Sequence, residues 1–125
     1  MRPSTALDNH RQAIIQIIES HNARNPRVFG SVVHGTDRDG SDLDILIDPT
    51  ADTSLFDIGA IRRELKNLLG IEVDVVTPNA LPDSFRYRVL SEAKLIWAKH
   101  RAAVIEAMGL KNKNSWESLL IQYQE

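Results

Sequence analysis

The stretch Val28-Phe29-Gly30-Ser31, ten residues, then Asp42-Leu43-Asp44-Ile45-Leu46-Ile47-Asp48 decides how this chain is read. Val28 and Phe29 are strand formers, and Gly30 lets the backbone leave the strand and approach a ligand without a Cβ. Ser31 adds a hydroxyl and a backbone N–H, both suited to phosphate oxygens. A short helix starting there would add partial positive charge at its N-terminus. Asp42 to Ile47 then reads as a strand, in which alternate residues share a face about 6.5–7 Å apart. Asp42 and Asp44 therefore face the same ligand. Carboxylates so spaced can hold two divalent cations roughly 3.5–4 Å apart, the arrangement that steadies the attacking and leaving oxygens of an in-line phosphoryl displacement. Oxygen donors of this kind favour Mg²⁺ or Mn²⁺.

A third acid would complete such a site. Ile71-Glu72-Val73-Asp74-Val75-Val76, between Gly70 and Pro78, offers two of the same strand parity. Asp74 is preferred, because a carboxylate inside Val-Asp-Val-Val is costly to bury and belongs near metal, water or a cation. Glu72, nearer the strand's start, reads as a solvated edge residue.

These residues resemble the minimal nucleotidyltransferases of the DNA polymerase beta-like superfamily: Gly-Ser, ten residues, Asp-x-Asp, and a third Asp on a later strand. The resemblance runs from about Leu7 through Trp97, and the segment Leu81 to Ala93 looks like the family's last helix. It implies a mixed α/β (α+β) nucleotidyltransferase fold, a small mixed sheet flanked by helices. It also implies that the triphosphate lies against the Gly30-Ser31 turn, that Asp42 and Asp44 bind metal, and that Asp74 joins them and helps activate the attacking hydroxyl. Ser41 is counted with Gly30 and Ser31 as a nucleotide-binding candidate. Small stand-alone chains of this family resemble the antitoxin half of pairs with a helical HEPN ribonuclease toxin, some of which silence the toxin by adenylylating a tyrosine. The expected activity is transfer of a nucleoside monophosphate, AMP from ATP, to a hydroxyl of that partner. Two other classes stay open: a module that masks its partner without catalysis, and an antibiotic-modifying nucleotidyltransferase, which usually carries an added helical domain that this length excludes. His34 departs from the pattern, since many relatives carry Arg after the Gly-Ser turn. It is read as a polar residue steadying the short helix, with a phosphate contact as the alternative.

The remaining sequence sets bounds. With 125 residues, 42% of them hydrophobic, the chain is expected to form one domain: a nucleotidyltransferase unit over residues 1–98 and a helical extension over 99–125. A net charge of −2 argues against the broad basic surface that grips long DNA. Seven Lys/Arg face two acids between Arg86 and Lys113, an asymmetry assigned to solvated surface. Cysteine is absent, so disulfides and thiolate metal sites do not arise. Neither a signal peptide nor a membrane span is apparent, and the cytoplasm is the expected location.

Along the chain, Thr5-x-x-Asp8 is expected to cap a helix with Leu7, Ile14, Ile15, Ile17 and Ile18 inward, ending near His21-Asn22. Strands follow at Arg27–Phe29 and Leu43–Ile47, with Asp48 ending the second. Ser54-x-x-Asp57 caps a helix that points Leu55, Ile58, Ile61, Leu65, Leu68 and Leu69 inward and stops at Gly70. Asp74's strand comes next, then a helix starting near Pro82 and an edge strand at Lys94–Ala98. Asp37, Asp39 and Gly40 read as a solvated loop. His10, His21 and His100 read as surface residues, and Tyr87 as structural. Ala102 to Leu110 and Trp116 to Tyr123 suggest two further helices, packing on the domain or serving as a docking element.

Overall fold

The computed structural model describes residues 1–97. The expected extension over 99–125, its two helices, Ala98 and His100 therefore lie outside the described residues. The elements run α1 (Pro3–Asn9), α2 (Arg11–Ser20), β1 (Ala23–Phe29), α3 (Ser31–His34), β2 (Leu43–Pro49), α4 (Leu55–Leu69), β3 (Val73–Val76), a 3-10 turn (Pro78–Ala80), α5 (Asp83–Glu92) and β4 (Lys94–Leu95).

The four strands form one mixed sheet in the order β3-β2-β1-β4. β1 is antiparallel to β2 and to β4, whereas β2 and β3 are parallel. Parallel neighbours need a long crossover, and the 15 residues of α4 supply it. Alternation along β2 divides its side chains between two faces. Leu43, Ile45 and Ile47 enter the main core with Val28, Val73 and Val75, against Leu7, Ile14, Ile15 and Ile18 of the first two helices and Ile61, Leu65 and Leu69 of α4. Each such side chain, fully buried, contributes about 1.5–3 kcal/mol. Leu46, on the opposite face, meets among the described residues a small cluster with Leu81 and Val89, flanked by Phe29, Val76 and Ala93. Asp44 has the parity of Leu46 and so belongs to this face.

Several expectations need correction. The first helix is two, interrupted at His10 (φ −134°), and it starts at Pro3 without a side-chain cap. Proline is favoured in a first helical turn, so the helix begins ahead of Thr5 and leaves Thr5 and Asp8 inside it. β1 starts four residues earlier than expected, at Ala23, and its pairing shifts between Arg24 and Arg27, where Asn25 takes φ +53°. In α4 the capping box at Ser54 and Asp57 and the left-handed stop at Gly70 are as expected. Leu55 and Leu68, however, are 85% and 37% exposed. At 100° per residue they lie about 70° to either side of the stripe formed by Ile58, Ile61, Leu65 and Leu69, at its margins. Asp48 does not merely end the strand: it pairs with Arg27 and accepts the Asn25 side-chain amide at 2.9 Å.

Candidate active site

Sheet register brings the acids together. Asp44 is paired across the parallel β2–β3 ladder with Asp74, and across the antiparallel β1–β2 ladder with Phe29, the residue before Gly30. Gly30 therefore arrives beside the Asp44 carboxylate. It adopts φ +72° and ψ −142° and forms the N-cap of the four-residue α3. A Cβ built on Gly30 would overlap Asp44 Oδ2 and stand 3.1 Å from its Cγ. The glycine is required here for two reasons, a positive φ and the absence of room.

Asp42 stands immediately before β2 rather than on it, and is exposed. Asp42 therefore does not share a strand face with Asp44, although it and Asp74 are both near enough to raise the pKa of Asp44. Burial is the largest cause and the two neighbouring carboxylates follow, together pushing Asp44 up to about 6. Three like charges gathered at the start of two parallel strands are unfavourable by themselves, and a cation relieves the repulsion. As the side chains stand, no three His, Asp or Glu residues among the described residues form a group that could hold one ion.

Glu72, the alternative to Asp74, precedes β3 and is engaged elsewhere. Its carboxylate lies 3.2 Å from Lys66 and 3.9 Å from Arg62, and its carbonyl accepts the Leu43 N–H at 2.9 Å. Arg62 also donates to the Val73 carbonyl at 3.1 Å, fastening the residue next to Asp74. Ser41 closes a turn: its hydroxyl accepts the Arg38 N–H at 2.9 Å, and its own N–H donates to the Arg38 carbonyl at 3.0 Å. His34 bonds Glu92 at 2.8 Å, joining α3 to the end of α5, which agrees with its reading as a residue that steadies the short helix.

Two residues assigned to solvent are not free. Asp37 is 6% exposed; its carboxylate accepts the Ser4 N–H at 2.9 Å and lies 3.7 Å from Arg2. The backbone hydrogen bond from Ser4 is the main reason its carboxyl sits below the usual range. No local pattern marks Asp37, since its partner is 33 residues away. His21 is half-buried and clasped by Glu64, with Asp57 at 3.9 Å, both on α4. Turn-forming composition hid the first of these, and isolation from other histidines hid the second.

The family model described as Polymerase beta, Nucleotidyltransferase matches residues 12–102. The chain belongs to this nucleotidyltransferase family. Among its relatives is a Methanocaldococcus jannaschii chain named "Putative protein adenylyltransferase MJ0435", 35% identical over 87 residues, which cover 70% of this chain and 94% of that one. The protein adenylyltransferase MntA of Thermococcus cleftensis is 35% identical over 77 residues, 62% of this chain and 78% of the relative. A solved structure of a "putative minimal nucleotidyltransferase" superposes with a TM-score of 0.66 at 35% identity, covering 78% of this chain and 97% of that one. A toxin–antitoxin structure with AMP-PNP reaches a TM-score of 0.60 at 20% identity over 91% of this chain and 92% of that one, a likeness of fold. Fold and family are therefore as the Gly-Ser/Asp-x-Asp spacing led one to expect.

Proposed function

We propose that this nucleotidyltransferase moves AMP from ATP to a hydroxyl, a tyrosine of a HEPN-family toxin, and acts as that toxin's antitoxin in the cytoplasm. The observation that carries the chemistry is the register pairing Asp44 with Asp74 beside a Gly30 that tolerates no side chain. The protein acceptor is supported by relatives named as protein adenylyltransferases, and the choice of a HEPN toxin by a solved structure of like fold described as a HEPN toxin in complex with MNT antitoxin.

In this reading the Gly30-Ser31 turn takes the triphosphate, with the Ser31 N–H and hydroxyl on phosphate oxygens. The donor set of Asp42, Asp44 and Asp74, all hard oxygen ligands, fits Mg²⁺ or Mn²⁺. A bound cation would neutralise charge on the phosphates and on the departing pyrophosphate. Asp74, exposed at the site's edge, takes the proton of the acceptor hydroxyl. The hydroxyl oxygen bonds the α-phosphorus, the bond from that phosphorus to the bridging oxygen breaks, and pyrophosphate leaves.

One observation favours a second reading, a module that masks its partner without catalysis: the acids do not converge on one point as they stand. Incubation with labelled ATP, GTP, CTP and UTP, Mg²⁺ or Mn²⁺ and the neighbouring gene's product, followed by intact mass measurement, separates the two. Metal-dependent AMP addition, lost in Asp44→Asn, is the outcome expected. An unmodified partner in every reaction would leave masking as the function.

A further inference from the structure

The loop between α3 and β2 delivers Asp42 to the site, and its middle is tied to a distant element. At its start the Thr36 N–H donates to the Ser31 carbonyl at 3.0 Å, and just past its end the Leu43 N–H donates to the Glu72 carbonyl at 2.9 Å. Between these lies a local turn held by Arg38 and Ser41, with Gly40 at φ +88°. Such a turn fixes its own shape but not its position against the sheet. Two ties to the N-terminal segment supply that position. The buried Asp37 carboxylate receives the backbone N–H of Ser4 in the first turn of α1 and lies 3.7 Å from Arg2. The exposed Asp39 carboxylate lies 3.3 Å from the N-terminal ammonium, and of the two ties the buried one is the less screened. A carboxylate buried on a connecting loop is unfavourable unless hydrogen-bonded, and an exposed polar residue would serve a loop that only joined two elements. Asp42, five residues on, is exposed and outside the strand, so its placement depends on how the loop is held.

We infer that Asp37 is a positioning residue: by anchoring the loop to the Ser4 amide, it limits how far Asp42 must move to share a cation with Asp44 and Asp74, since as the side chains stand the three do not hold one ion together. The inference rests on the metal assignment above and extends it to a residue that touches neither metal nor nucleotide. Loss of a group bonded directly to a metal ligand typically costs roughly 10–100-fold in metal affinity. Asp37 bonds the Ser4 amide instead, so its effect runs through the loop and the lower end of that range is expected. The cost here should fall on metal affinity and on order in residues 38–42, in excess of any effect of general destabilisation.

The test measures Mn²⁺ binding by electron paramagnetic resonance, and amide exchange of residues 38–42, at a temperature where every variant is folded. Asp37→Ala should raise the Mn²⁺ dissociation constant roughly tenfold and speed exchange in the loop. Asp37→Asn, whose amide oxygen still accepts from Ser4, should do less, and it carries the test if Asp37→Ala does not fold. Ile18→Val, a mild change in the remote core, should leave both readouts unchanged. Wild-type Mn²⁺ affinity in folded Asp37→Ala, or an equal loss in Ile18→Val, overturns the inference. If the wild type binds Mn²⁺ and Asp37→Ala does not, yet neither transfers AMP, the proposed reaction fails while the positioning role stands. A wild type that binds no Mn²⁺ removes both.

Discussion

At the scale of single residues, the turn at Gly30-Ser31 is legible because a glycine beside strand formers is a local signal, whereas Asp42 and Asp44 do not meet as alternate residues of one strand, since β2 begins only at Leu43. What spacing could not foretell is contact across the sheet. Gly30 reads from sequence as open backbone for phosphate, yet its missing Cβ also makes room for the Asp44 carboxylate. Gly30→Ala should therefore displace a candidate metal ligand, a shift that can lower the transfer rate by about 10², and should strain the positive φ by roughly 1–2 kcal/mol. Activity assays and denaturant melts would check both, and near-wild-type transfer would mean Asp44 can move without consequence. Asp44 also gives a pH signature. Folded, it keeps its proton up to about 6, against an ordinary value of 3.8. Folding takes up a proton between these values, so its contribution to stability is fully present below 3.8 and lost as pH rises through about 6. In metal-free protein, Asp44→Asn should thus be more stable than wild type above pH 6 and comparable to it near pH 3.8. Saturating Mg²⁺ should stabilise only the wild type. A variant less stable than wild type at pH 8 without metal would contradict the raised pKa. At the third acid, Asp74→Asn should slow transfer by about 10² or more while triphosphate affinity falls much less. Glu72→Gln should be nearly silent, since Glu72 is held by Lys66 and Arg62. The reverse ranking in paired affinity and incorporation assays would exchange their roles.

At the scale of elements, termini with strong local chemistry were readable. The capping box of α4 and the glycine after it are short-range hydrogen-bond patterns, so residue identity and spacing determine them. Boundaries set by tertiary pairing were not readable. β1 extends back to Ala23 because Arg24 pairs with Asp48 and Ala23 with Pro49, partners more than twenty residues away. The break at His10 likewise has no glycine or proline to announce it, and Asp8 and Arg11 bond across it at 2.7 Å. The burial of Asp37 escaped for the same reason, its donor being on α1. Ser54→Ala tests the local kind of determinant. Loss of the bond to the Asp57 N–H should cost about 1 kcal/mol, seen as a lower denaturation midpoint with unchanged slope. Transfer should continue at the wild-type rate, because the cap follows the end of β2 remote from Asp44. A substantial loss of activity at full folding would show that α4's entry angle is transmitted to the site.

At the scale of the whole sheet, the described residues are distributed unevenly: one face is closed by α1, α2 and α4, while among the described residues the face bearing Asp44 carries the small cluster around Leu46. Asp74 is exposed among the described residues, as an acceptor of protons from a macromolecular hydroxyl must be, and the proposed activity becomes a question of stoichiometry. An enzyme that adenylylates its partner is released to act again, so a small molar fraction of this chain should silence an excess of partner. A mask must be present at one copy per partner. The difference is measurable by titrating the chain against the partner's ribonuclease activity with ATP and Mg²⁺ present and then withheld. With both supplied, inhibition should develop over time at substoichiometric chain and persist after the chain is removed, in step with AMP on the partner. With ATP withheld, or with Asp44→Asn, inhibition should appear at once, need equimolar chain, and vanish on separation, because the surface that meets the partner is intact while the metal-binding charge is gone. Equimolar, immediate and reversible inhibition under all conditions would assign this fold a purely steric role and leave the three acids without a reaction to perform.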